Sequence, residues 1–75
     1  MWTKQQIQAL KNAAYAFSSD DFIRDHLTAL NGHLNHYERQ PLIHAKNVEW
    51  KEVEREADEI ITRLTALKAG LPSLN

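Results

Sequence analysis

The sequence predicts an all-α fold, a three-helix up-down-up bundle, and three observations carry that expectation. Apolar residues recur at steps of three and four in three separate segments. Helix-capping residues stand at the edges of those segments. Only two glycines and two prolines interrupt the 75 residues, too few for the frequent turns of a β architecture. The helices are expected at about 4–17, 19–40 and 48–69, within a single domain covering 1–75.

In the first segment Ile7, Leu10, Ala14 and Phe17 form one helical stripe. Its start reads as a capping box, Thr3-x-x-Gln6, with Trp2 and Ile7 placed as a hydrophobic staple. The second helix has a stripe of Ile23, Leu27, Leu30, Leu34 and Tyr37. Asn31-Gly32 interrupts it with the dipeptide that most often marks a hairpin turn. The alternation by two that a hairpin requires is missing on both sides, so the spacing predicts a helix that runs through, with Gly32 facing solvent. Ser18-x-x-Asp21 reads as a second capping box with Phe17 and Phe22 as its staple, and Asp20 and Asp21 complement the helix dipole. Pro41 ends this helix. The third stripe is Trp50, Val53, Ala57, Ile60, Leu64, Leu67 and Leu71, with Asn47 as the expected N-cap and Gly70 as the C-cap. Residues 40–46, QPLIHAK, are expected as a connecting loop.

A chain this short has a small core and needs disulfides, a metal, self-association or very regular helix packing to supplement it. It has no cysteine, which excludes disulfides and thiolate metal sites. Regular packing or a homodimer remains. No apolar run approaches the roughly 18 residues of a membrane span and the start lacks a secretory h-region, so a cytoplasmic location is expected. A formal charge of -1 and a pI near 6.4 provide no global field for nucleic acid or anionic lipid.

The expected lengths leave helix 1 too short to cover the far end of the helix 2–helix 3 hairpin. Leu34, Tyr37, Leu42, Ile43, Val48, Trp50 and Val53 gather there. Aromatic and aliphatic residues so grouped are the composition of an interface core. The candidate interaction surface is Tyr37, Leu42, Ile43 and Trp50, with His36 and His44 in the polar rim beside Glu38 and Arg39. Alternatively, the loop with Leu42 and Ile43 folds back as a plug, and the two readings are compatible.

Other chemistry is thinly represented. His33 and His36 stand at i and i+3, close enough to share a metal, but further ligands would have to come from His44 or a carboxylate. The expectation is therefore histidines that pair with glutamates, with no metal and no cofactor. The segment EWKEVEREADE is acidic, either as a docking face for a basic partner or as a solvated helix whose charge suits its dipole. No base stands beside a nucleophile and no glycine-rich phosphate cradle exists, so an enzyme is not expected. The function expected is a small protein–protein interaction module, an adaptor, regulator or inhibitor acting by surface occupancy. The alternative is a small DNA-binding regulator built on a helix-turn-helix-like junction at Ser18-Ser19. That reading is weakened by Asp20, Asp21 and Asp25, since a recognition helix should lead with basic and amide groups.

Overall fold

A computed structural model describes residues 1–69. It contains three α-helices in the order α1 (Lys4–Tyr15), α2 (Asp21–Arg39) and α3 (Ile43–Lys68). The expected C-cap at Gly70 and the last stripe residue, Leu71, lie outside the described residues.

The predicted box at the start of α1 forms in full. Thr3 Oγ1 accepts from the backbone N–H of Gln6 at 3.1 Å, and the Gln6 side chain accepts from the backbone N–H of Thr3 at 2.9 Å. The chain then places Trp2 against α3: its backbone N–H donates to Glu54 at 2.8 Å and its indole N–H to Asp58 at 2.9 Å. At the same end of α1, Lys4 approaches Glu38 of α2 at 3.6 Å. These contacts fix the directions, with α1 parallel to α3 and antiparallel to α2.

The α1–α2 boundary differs from the expectation. α1 stops at Tyr15, and residues 16–20 close a tight turn through bonds such as Phe17 N–H to Ala14 C=O at 2.9 Å and Asp20 N–H to Phe17 C=O at 3.0 Å. The N-cap of α2 is Asp20, not Ser18: its carboxylate accepts from the Ile23 N–H at 3.0 Å. The same carboxylate receives the Arg63 guanidinium at 2.7 Å from across the bundle. A charged cap held by a tertiary ion pair displaces the serine. Phe22 lies beneath Arg63 and beside His26.

α2 is continuous through Asn31 and Gly32. The largest departure is in α3, which begins at Ile43, five residues before the expected start. Pro41 holds Gln40 in extended backbone, Leu42 is the extended N-cap without a side-chain cap bond, and Asn47 is an interior helical residue. The missed signal is Lys46. From the first turn of α3 its ammonium donates to the Tyr37 carbonyl at 2.8 Å and lies 4.5 Å from the Tyr37 ring centroid. It thus adds a short bond to a carbonyl in the last turn of α2 that otherwise takes only a long one, 3.4 Å, from the Gln40 N–H, and it places positive charge at that helix's negative end.

The core is the set the periodicity marks: Ile7, Leu10 and Ala14 from α1; Ile23, Leu27 and Leu30 from α2; Val53, Ala57, Ile60 and Leu64 from α3. Trp2, Ala13, Phe17, Leu34, Trp50 and Leu67 pack around it. Among the described residues one charged side chain is buried with them. Glu56 meets His26 at 2.5 Å.

Candidate interaction surface

Helix lengths determine what is left uncovered. At 1.5 Å per residue, α3 is roughly 39 Å long, against about 28 Å for α2 and 18 Å for α1. The first turn of α1 lies at the level of Leu34 and Glu38 on α2, so α1 reaches nearly to the end of that helix. The uncovered part is the start of α3, which projects past both neighbours. Val53, expected in the open patch, is therefore fully buried, and Leu34 is half-buried against the core.

The predicted surface residues divide into a base and a crown. Tyr37 and Trp50 form the base. Their ring centroids are 5.1 Å apart and tilted by 53°, both are half-buried, and Lys4 and Lys46 place cations 5.2 and 4.5 Å from the tyrosine centroid. Leu42 and Ile43 form the crown, 68% and 77% exposed. They do not fold back as a plug, because Ile43 is the first residue of a helix that carries it away from the bundle. Ile43 stands seven residues before Trp50, two turns up the same stripe as Val53, Ala57 and Ile60. It is a core-facing position with no neighbouring helix opposite. Val48 is 52% exposed on an adjacent face, which it shares by helical spacing with His44 and Lys51.

The rim is basic. Glu38 is engaged by Lys4, whereas among the described residues Arg39 and Lys51 have no carboxylate within 4 Å. His44 is exposed and, among the described residues, belongs to no cluster of metal-ligating side chains. His36, also exposed, turns toward α3, where its Nδ1 is 3.9 Å from Glu49. Glu49 also takes His33 Nδ1 at 2.9 Å.

The acidic segment of α3 is largely occupied by contacts within the chain. Glu49 meets His33, Glu52 meets Arg55, Glu54 and Asp58 hold Trp2, and Glu56 meets His26. Those acids tie α3 to its neighbours or to itself, and the two tertiary His–Glu pairs could not be read from spacing. At the opposite end the Arg63 hydrogen bond, with the Ile23 N–H, holds the Asp20 carboxyl below the usual carboxylate range, while burial opposes the shift.

An open groove of about 490 Å³ runs between α1 and α3, bordered by Met1, Trp2, Gln6, Ile61 and Lys68. It brings no acid, base and nucleophile together.

Comparison with protein-family models, with curated proteins and with solved structures gives no match. The functional reading therefore rests on this geometry.

Proposed function

We propose that this chain is a non-enzymatic protein–protein interaction module that docks its partner on the projecting end of α3, the partner presenting an apolar segment flanked by carboxylates. The observation that carries the reading is Ile43, a residue in register with the core stripe yet 77% exposed. With Leu42 above it and the Tyr37–Trp50 pair below, it offers an aliphatic contact over an aromatic base, the arrangement from which binding hot spots are built. Arg39, His44 and Lys51 give the rim its charge preference, since opposite charge around an apolar contact sets orientation and encounter rate. The patch is small against the roughly 800 Å² that each side of a standard interface buries. Binding is accordingly weak and exchangeable, or involves a short segment of the partner.

The DNA-binding alternative has less support. Helix-turn-helix pairs cross steeply, whereas α1 lies antiparallel along α2 from Lys4–Glu38 onward, and α2 opens with Asp20 and Asp21.

The test is capture from cells of the source organism with the wild-type chain, with Ile43→Ser and with Lys11→Ser, a control on α1. A partner retained by wild type and control, lost by Ile43→Ser and released by salt is the expected result. Equal retention by all three chains contradicts the reading. Concentration-dependent sedimentation of the wild type, abolished by Ile43→Ser, would replace the acidic-rimmed partner with a second copy of this chain.

A further inference from the structure

We propose that His33, His36 and Glu49 form a binding site for one divalent late-transition ion, Zn²⁺ above all, that ties α2 to α3. The sequence offered two histidines at i and i+3 and left the further ligands to His44 or an unspecified carboxylate. The fold supplies it from another helix. His33 Nδ1 lies 2.9 Å from one Glu49 carboxylate oxygen and His36 Nδ1 lies 3.9 Å from the other. One ligand atom from each of the three residues falls within 4.8 Å of the other two.

These separations are close to what an ion requires. Zinc bonds of about 2.0–2.2 Å in a tetrahedron place ligand atoms roughly 3.4 Å apart. The observed 2.9 and 3.9 Å, to the two different oxygens of one carboxylate, lie on either side of that value, so rotation of the Glu49 carboxylate and the His36 ring is what brings the three groups onto one ion. The carboxylate stands beside both imidazoles, hydrogen-bonded to His33 and 3.9 Å from His36. Two imidazole nitrogens and one carboxylate oxygen form a three-ligand set with an open position, which suits Zn²⁺ and, by the usual affinity order, Cu²⁺ and Ni²⁺. Ca²⁺ and Mg²⁺ prefer all-oxygen shells and are disfavoured. Exposure fits as well: His33 and Glu49 side chains are 28% and 22% exposed and His36 is 61% exposed. The site is thus walled on one side and open to solvent water on the other.

The ion would not be a condition of folding. The ten-residue apolar core is made of other side chains, and the His33–Glu49 pair closes the site in its absence. Binding adds a link between two helices that are already packed.

The test is calorimetric titration of Zn²⁺ and Ni²⁺ into the untagged full chain, into His36→Gln and Glu49→Gln, and into His44→Gln as control. Melting curves on each variant establish that it is folded. Expected are one ion per chain, a melting temperature that rises with ion concentration, and an unchanged response in His44→Gln. Losing a ligand should weaken binding by no less than the ~10–100-fold reported for loss of outer-shell partners. No saturable binding by the wild type overturns the proposal. So does binding that survives both Glu49→Gln and His36→Gln, or a stoichiometry of one ion per two chains.

Discussion

Replacing Gly32 with alanine tests the backbone that every other conclusion depends on. Gly32 sits in the interior of α2, and a Cβ built there meets nothing within 4 Å. The substitution therefore introduces no clash and no new packing, leaving only the conformational term. Glycine in a helix interior is about 0.8–1.0 kcal/mol worse than alanine. An unfolding entropy of about 2.1 cal/mol/K per residue gives roughly 0.16 kcal/mol/K for a chain of this length, so the gain corresponds to a rise in Tm of about 5–6 °C. Parallel far-ultraviolet circular dichroism melts of wild type and Gly32→Ala measure it directly. An unchanged or lowered Tm would refute a continuous α2, since a turn at Asn31-Gly32 would need the positive φ that alanine resists.

His26→Ala leaves Glu56, which is 7% exposed, without its nearest partner, and should lower stability by about 1–3 kcal/mol; in denaturant titrations the double variant His26→Leu/Glu56→Leu should lose less than the sum of the single changes. Asp20 is held below its ordinary pKa by Arg63, so it adds stability above an unfolded-state value near 3.9 that is lost as pH falls through the folded pKa. Asp20→Asn, while less stable at neutral pH, should therefore show a flatter acid limb in melts between about pH 5 and pH 2. Trp50→Ala removes a half-buried ring packed at a tilt against Tyr37 and should lower stability by about 2–3 kcal/mol, short of the 3–5 typical of fully buried aromatics. Protein stripped of metal with chelator should still unfold in one cooperative thermal transition, because the core does not include the histidines; loss of that transition would show that folding requires an ion.

The parts of this fold that could be read in the sequence are those set by local periodicity. Ile7, Leu10, Ala14, Ile23, Leu27, Leu30, Val53, Ala57, Ile60 and Leu64 fall on the three stripes because a helix repeats every 3.6 residues whatever it packs against. The Thr3–Gln6 box is equally local. What escaped depends on residues distant in the chain. Asp20 outcompetes Ser18 as a cap through Arg63, 43 positions away. α3 starts at Ile43 because Lys46 caps the end of α2, an advantage absent from the propensities of QPLIHAK. That early start inverts the coverage argument: the open region is one projecting helix end, not the whole end of a hairpin. Of the six surface residues named from sequence, Leu42, Ile43, His36 and His44 are exposed, and Tyr37 and Trp50 are the half-buried base beneath them. The role of Glu49 was illegible for the same reason. It joins His33 and His36 only once α2 and α3 are packed.

The central claim is that the projecting end of α3 is a docking surface, and its most direct test is an affinity measured on one exposed side chain. Ile43→Ser touches no part of the core and should change folding stability by no more than about 0.5 kcal/mol. If Ile43 anchors the partner recovered with the wild-type chain, calorimetric titration of that partner should show about 2 kcal/mol or more of lost binding, roughly 30-fold in Kd. Equal affinity of wild type and Ile43→Ser, both folded by circular dichroism, would contradict the claim.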